Sequence, residues 1–344
     1  MQKTILLLGP RFNKKNPHII GGPIVLFEDL LLQLNKNKIL YIVIDTNKNN
    51  YANSLLAYLS ILFQLLFKLK NTYHISLHSS QDYMILGFPI ILLSKIFKKR
   101  TSLRKFGGEA ESTFQNAIYI KRYLLKIIFS QMDNLFFETK YLVTFFLKFN
   151  KNTFWFPNVR SRTVEPKLPR TFQKKFVFIS HVIKEKGIDE IIEASRELDS
   201  SYTIDIYGPL LEDHYKKEIF HKEKVFYKGV LPADKVLQIL NEYDVLLLPS
   251  YKEGYPGIII EAYSLGIPVI ASNLKGISEI ITPYETGILV QPKSSLDLTQ
   301  AIQFFNQNNY VHMSNRSYSK FDNFNSTNTT KKFIQLINGS RLPP

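Results

Sequence analysis

Two glutamates, Glu253 and Glu261, bracket the start of a predicted helix in the stretch YDVLLLPSYKEGYPGIIIEAYSLGIPVIASNL, residues 243–274. The free backbone N–H groups and positive dipole end of a helix start favour phosphate. Phosphate alone would not call for carboxylates, which accept hydrogen bonds from hydroxyl groups. A compound carrying both phosphates and hydroxyls, a sugar nucleotide, satisfies both requirements: Glu261 would accept from ribose hydroxyls and Glu253 would face the transferable sugar. Spacing alone equally permits two solvated glutamates at a βα turn. In the run SHVIKEKG, residues 180–187, Lys186 can meet a pyrophosphate as a point charge, and His181 can donate to phosphate although it is only fractionally charged near neutrality. Read on their own, both would be ordinary surface residues.

The elements that must position these groups follow from apolar runs and their punctuation. Tyr243–Pro249 lacks helical periodicity and reads as a buried strand. Gly254, Pro256 and Gly257 break the chain, and Ile258–Leu265 restarts it as a helix that Gly266 and Pro268 end. Upstream, strand Phe176–Ile179 leads through 180–187 into helix Ile188–Leu198, and strand Ser201–Tyr207 ends at the tight turn Gly208-Pro209. Helix Leu296–Phe305 is followed by an Asn-, Ser- and Thr-rich stretch to Thr330 and a last helix, Lys331–Ile337.

The first half alternates in the same way. Strands are expected at Thr4–Leu8, Ile39–Ile44, His74–Leu77, Ser102–Phe106 and Asn134–Glu138, with helices at Ile24–Leu34, Tyr51–Leu69, Phe88–Phe97, Ile118–Phe129 and Lys140–Leu147. Such alternation predicts parallel α/β sheets, and 344 residues suit two domains. Ile19-Ile20-Gly21-Gly22-Pro23 precedes the first helix, where paired glycines permit close backbone approach to a ligand or a positive-φ turn. Residues 160–172, with Pro166 and Pro169 among polar residues, read as a linker.

Composition narrows the class. The chain has no cysteine, which leaves no disulfide framework or thiolate metal site and fits a reducing cytoplasm. The start, MQKTILLLGP, reads as a first strand rather than a signal peptide. Residues 1–158 carry 21 Lys and Arg against 8 Asp and Glu, whereas 159–344 carry 23 against 21. A basic half beside a nearly neutral one points to an anionic membrane surface or a polyanion. No helix-turn-helix, zinc-finger or RNP-like string points to nucleic acid. Residues 51–69 are almost continuously apolar but fall near the lower limit for a spanning helix and include Asn53, Ser54, Ser60 and Gln64, so a packed helix is expected. Lys98, Lys99 and Arg100, with Arg104 and Lys105 close behind, exceed what helix capping needs.

Glu253, seven intervening residues, Glu261, then Ala262, Gly266, Pro268, Val269, Ile270 and Ala271, resemble the E-x7-E signature of retaining glycosyltransferases of the GT-B fold (glycosyl transferases group 1, family 4). Asn273, Gly276, Glu279 and Glu285-Thr-Gly-Ile-Leu-Val290 are similar to that family's continuation, Phe154–Val159 to its Pro-Asn string, and Lys186-Gly187 to its lysine–glycine pair. His181 stands where an arginine is usual, and Phe106, before Gly107-Gly108-Glu109, where a histidine is often found.

The resemblance implies two Rossmann-like domains facing each other across a cleft. Residues 1–158 would bind the acceptor, 159–172 link, 173–327 bind the nucleotide sugar, and a helix at about 328–340 pack back on the first domain. It implies transfer, with retention, from a UDP- or GDP-type sugar to a saccharide or polyprenyl-diphosphate-linked acceptor in bacterial surface polysaccharide assembly, at the cytoplasmic face of the membrane. Glu253 and Lys186 would be catalytic; Glu261, His181, Gly208, Gly254, Tyr255, Gly257 and Ile258 would hold the donor; and Gly21, Gly22 and Glu109 would border the acceptor side. No HExxH or Asp-x-Asp string is present, and Lys186, His181 and the amides near Gly257 could stabilise the departing diphosphate, so neither metal nor cofactor is expected. A sugar-nucleotide epimerase and a degenerate nucleotide-sugar-binding protein are the alternatives, the first needing its own acid/base groups and no lipid-side surface, the second unable to turn over.

Overall fold

A computed structural model describes residues 4–14, 21–80, 84–215, 220 and 224–339. The chain divides into two units, 1–159 with 326–344, and 160–325. Each is built on a six-stranded, all-parallel sheet.

In the first unit the order along the chain is β1 (Ile5–Gly9), α1 (Gly22–Lys36), β2 (Tyr41–Asp45), α2 (Ser54–Lys68), β3 (His74–Ser79), α3 (Gly87–Ile96), β4 (Arg100–Lys105), α4 (Ala110–Gln115), α5 (Tyr119–Gln131), β5 (Asn134–Phe137), α6 (Lys140–Phe146) and β6 (Thr153–Trp155). The sheet runs β2-β1-β3-β4-β5-β6. Helices sit on both faces of this sheet, so its inner strands are buried on both sides: β1 reads as an apolar run, whereas β3 (HISLHS) and β4 (RTSLRK) bury polar side chains. The inward sides of α2, α3, α5 and α6 share one core with Leu6, Leu8, Ile75, Leu77 and Leu103. On the other face, Leu26, Phe27 and Leu30 of α1 pack with Ile5, Leu7 and Phe136. Local signals set the helix starts: Asn53 accepts from the Leu56 N–H ahead of α2, and Thr139 from the Leu142 N–H ahead of α6.

The second unit runs β7 (Lys175–Ile179), α7 (Ile188–Arg196), β8 (Thr203–Tyr207), β9 (Val225–Gly229), α8 (Val236–Leu240), β10 (Val245–Leu248), α9 (Gly257–Ser264), β11 (Val269–Ser272), α10 (Lys275–Ser278), β12 (Gly287–Val290), α11 (Ser295–Phe304) and α12 (Gln307–Lys320). Its sheet order is β12-β11-β10-β7-β8-β9. Finally α13 (Ser326–Ile337) returns to the first unit, burying Phe333, Leu336 and Ile337 beside α1, with Tyr73 donating to Asn338 at 2.8 Å.

Three local expectations change. The Asn- and Ser-rich stretch after residue 305 is helical: α12 opens on a capping box between Asn306 and Asn309, and Ser314 and Ser317 donate to the carbonyls of Gly266 and Thr286. The segment 160–172 packs on the second unit, with Arg170 buried and hydrogen-bonded to Asn241, Tyr243, Leu265 and Tyr310. Arg104 and Lys105 are only 1% and 2% exposed in β4, so two of the five cations grouped by the sequence lie inside the sheet. Ile19 and Ile20, and residue 340 at the end of the expected last helix, lie outside the described residues.

Candidate functional site

The second unit changes winding direction at its middle. From β7 the chain moves outward to β8 and β9, then returns to place β10 on the other side of β7. The crevice beyond the carboxyl ends of such a strand pair is where open α/β sheets admit ligands. Lys186 lies in the loop after β7 and Glu253 in the loop after β10, and their side chains meet there: Nζ to Oε1 is 2.5 Å, with 20% and 15% of the two side chains exposed. The Ser250 hydroxyl also donates to Glu253 Oε1 at 3.1 Å.

Glycines make the loops fit. Gly187 has φ +78°, and a Cβ there would lie 2.3 Å from the Pro249 carbonyl oxygen, so the two loops touch along backbone at this position. A Cβ on Gly276 would sit 1.5 Å from the Gly254 carbonyl oxygen, which pins the glutamate loop against the start of α10. Gly208, at φ +146°, packs on the Ser180 carbonyl, and the amide of His181 lies 3.6 Å from the Cβ it lacks. His181 itself is exposed.

Beside this pair, α9 begins at Gly257 after Pro256 at the N-cap, with Gly257 and Ile258 partly exposed and Tyr255 buried. A residue absent from the sequence-based set occupies this end. Arg160 Nε contacts Glu261 Oε1 at 2.5 Å, and its Nη2 lies 1.9 Å from where a Gly257 Cβ would be. Only a glycine at 257 lets the guanidinium reach the helix start. Lys186, Glu253, Arg160 and Glu261 thus form two cation–carboxylate pairs, one joining the loops after β7 and β10 and one at the first turns of α9. Nearby, Tyr251 donates to Glu190 at 2.7 Å; burial, then that carboxylate, raises its phenol pKa and holds it protonated.

The opposite edge of this sheet carries a cavity of about 380 Å³ among Lys167, Arg170, Lys175 and Asp244. It lies at the amino ends of the strands, and Asp244 already accepts from the backbone N–H groups of Gln173 and Lys175, so it is no match for the loop site.

In the first unit, Gly21 and Gly22 open α1. Gly21 has an ordinary φ of −93°, so no left-handed turn is needed, and a Cβ on Gly22 would meet nothing within 4 Å, which leaves its backbone approachable. Glu109, exposed, is the N-cap position of the short α4 after β4, two strands away from β1. Phe106 is buried and rests 6.2 Å from the His78 ring, so it takes part in packing. A cavity of about 550 Å³ lined by Arg11, Glu28, Asp45, Asn50, Tyr51 and Gln64 opens beyond β1 and β2.

Under Phe106 runs a buried polar row: His74 Nε2, the hydroxyls of Ser102 and Ser76, and His78 Nε2, linked at 2.9, 2.8 and 2.9 Å. Burial, then Arg100, pushes His74 down to about 3, and burial, then Arg104 and His74, lowers His78, so both rings are neutral. Burial likewise lowers Arg104 to about 9 and Lys105 to about 8 against the pull of Glu138. Among the described residues no group of three His, Asp or Glu side chains could hold a metal ion, and no helix is long and apolar enough to cross a membrane.

Residues 160–320 match the family described as glycosyl transferases group 1. An uncharacterized 41.2 kDa protein in the cps region of Klebsiella pneumoniae is 32% identical over 184 residues, 50% of this chain and 51% of that one. The N,N'-diacetylbacillosaminyl-diphospho-undecaprenol alpha-1,3-N-acetylgalactosaminyltransferase of Campylobacter jejuni is 27% identical over 128 residues, 37% of this chain and 34% of that one. The matched segment thus spans about half the length of these curated relatives or less. Among solved structures, Anabaena HepE in complex with UDP superposes with a TM-score of 0.74 at 15% identity, covering 98% of this chain and 100% of that one. That likeness and the two parallel sheets establish a two-domain GT-B architecture. The second unit, residues 160–320, is thus similar to the glycosyl transferases group 1 family.

Proposed function

We propose that this protein transfers a sugar, with retention, from a nucleoside diphosphate sugar of UDP or GDP type to a saccharide or polyprenyl-diphosphate-linked acceptor during assembly of a bacterial surface polysaccharide. The observation that carries the reading is the joining of Lys186 and Glu253 at the point where the second sheet reverses its winding, with Arg160 and Glu261 at the adjacent helix start. An incoming diphosphate would lie against Lys186, Arg160 and the amides of Gly257 and Ile258, fixed donors that need no reorganisation as charge develops. Glu261 would take ribose hydroxyls. The bond from the anomeric carbon to the diphosphate breaks, the acceptor oxygen bonds to that carbon on the same face, and the departing phosphate takes the acceptor proton. Glu253 orients the sugar and is not a general base, and the fixed cations do the work for which a metal ion would otherwise be recruited.

Support for the donor class comes from HepE, solved with UDP and with UDP-glucose. Support for the acceptor class comes from the name of the Campylobacter relative. An anionic membrane surface, met through the basic first unit, is the expected site of encounter.

Thermal unfolding with a panel of nucleoside diphosphates and their sugars tests the reading, since a ligand at 100 times its dissociation constant adds about 2.7 kcal/mol. Stabilisation by one diphosphate sugar, followed by product analysis with and without a lipid-linked saccharide, is expected to give transfer with the anomeric configuration kept. Absence of stabilisation by every diphosphate, or conversion of the sugar without any acceptor, refutes it.

A further inference from the structure

The first unit has an outer face that neither its sheet nor its core explains. The inward stripes of α2, α3 and α5 share one core, which places the outward stripes of all three on the same side of the sheet, and Lys95 on α3 reaches Gln131 on α5 at 3.0 Å. A surface helix normally turns charged residues outward. Here α2 turns out Leu55, Leu59, Phe63, Leu66 and Phe67 at 49–69% exposure, although Ala57, Ile61 and Leu65 already fill its inward stripe. Ile85 just ahead of α3 continues the outward line of Phe88, Leu92 and Ile96, and α5 opens with Ile118, Tyr119, Ile120 and Tyr123 at 58–83% exposure. Fifteen of the 27 large apolar side chains exposed among the described residues lie on or next to these three helices. Scattered exposed apolar residues are normal; a contiguous set on one face marks an interaction surface.

Charge says what kind of partner fits. Segments 51–71, 84–100 and 116–132, which contain the three helices, hold nine lysines and arginines and not one aspartate or glutamate. The cations flank the apolar rows: Lys68 and Lys70 end α2, Lys95, Lys98 and Lys99 end α3, and Lys121, Arg122 and Lys126 interleave α5. A second copy of the same face would set cation against cation. An anionic lipid surface accepts both features, apolar side chains entering the headgroup boundary and lysines meeting phosphate, with tyrosines at the level where amphipathic rings are favoured.

We propose that the outward faces of α2, α3 and α5 form a docking surface for an anionic lipid bilayer, on which the protein lies peripherally. At 15 residues, α2 is about 22 Å long, too short to cross a hydrocarbon core of about 30 Å, so its apolar side is placed to lie along the surface. The surface deepens the membrane encounter named in the proposed function, but docking needs neither nucleotide nor acceptor.

The experiment is co-sedimentation of the full chain, without nucleotide, with vesicles of phosphatidylcholine alone or mixed with phosphatidylglycerol. The expected result is binding at least about tenfold stronger to the mixed vesicles and weakened by salt. The variant Phe63→Glu/Leu66→Glu/Leu92→Glu should lose at least about tenfold of that binding while its unfolding temperature and its affinity for UDP stay at the parent values; Leu211→Glu/Val230→Glu, on the second unit, should bind vesicles as the parent does. Equal binding to both vesicle types, full binding by the triple variant, or a parent dimer in sedimentation equilibrium that the triple variant abolishes would each overturn the proposal. A parent that does not dock yet transfers to a soluble acceptor removes this inference alone; docking without transfer removes the catalytic reading alone.

Discussion

Replacing Lys186 with methionine separates what its pair with Glu253 does for stability from what it does for turnover. The two side chains are 20% and 15% exposed and 2.5 Å apart, and Ser250 is the other hydrogen-bond donor to the bonded oxygen. Breaking a fully buried pair costs about 3–5 kcal/mol because it strands the remaining charge, and the residual solvent contact here reduces that to about 2 kcal/mol. In a unit of this size the unfolding midpoint should fall by about 4–8 °C. If Lys186 also stabilises the departing diphosphate, turnover should fall about 10²–10³-fold, as for loss of one preorganised donor.

The double variant Lys186→Met/Glu253→Gln decides between the two roles. It leaves no unpaired charge, so most of the midpoint should return, while turnover, measured as UDP or GDP release in the presence of acceptor, should stay as low as in the single variant or lower. Turnover that recovers with stability, or a single variant within about threefold of the parent, would show the pair to be a structural clasp and refute its catalytic assignment.

Glu261→Ala and Arg160→Ala should each weaken nucleotide binding about 10–100-fold in calorimetry, each removing charged hydrogen bonds at the start of α9, and unchanged affinity in both would remove the ribose and diphosphate roles. Gly276→Ala should cost about 3 kcal/mol in thermal unfolding and loosen nucleotide binding, because its Cβ has no room beside the Gly254 carbonyl; a neutral substitution would mean that the glutamate loop is not pinned there. Burial lowers Lys105 from 10.5 to about 8, so below pH 8 both states carry the proton and the folded one bears the full burial cost, on the order of 3 kcal/mol. Between pH 8 and 10.5 the folded lysine is neutral while the unfolded one is charged, and that cost fades as pH rises. Lys105→Met should therefore be more stable than the parent at pH 7 by an amount that shrinks toward pH 10, and a pH-independent difference would contradict the burial argument.

What the sequence made legible is what short-range pattern encodes. The strand of 243–249, the glycines around 254–257 and the helix ended by Gly266 were readable because apolar runs and chain breakers act locally, and the same grammar located Lys186 and Glu253 in adjoining loops. Arg160 was not readable: it sits in a polar, proline-bearing stretch and meets Glu261 101 residues later, a contact no local pattern records. Arg104 and Lys105 were grouped by sequence proximity with the cations that end the preceding helix, whereas β4 is covered on both sides and Arg104 is held by the faces of Phe106 and Phe156. The helix α12 was hidden by its polar composition; asparagines at 306 and 309, three apart ahead of Tyr310 and Met313, are the one signal that could have found it.

The two cation–carboxylate pairs leave the proposed diphosphate site without a free cation at Lys186 or Arg160. Lys186 and Arg160 are each held by a glutamate, so on the proposed function a diphosphate would have to exchange partners with a carboxylate instead of filling a bare positive site. That exchange would leave Glu253 without its lysine at the moment a sugar hydroxyl could replace it, which would couple donor binding to orientation of the sugar. On this reasoning Glu253→Gln removes the competitor and should tighten binding of the bare nucleoside diphosphate by about 3–10-fold, about 1 kcal/mol, while lowering turnover of the diphosphate sugar. A glutamate that only braced the loop would weaken both when replaced, so calorimetry of UDP or GDP with this one variant distinguishes exchange from bracing: weaker or unchanged binding excludes the exchange, and tighter binding with slower transfer is the outcome that only partner exchange produces.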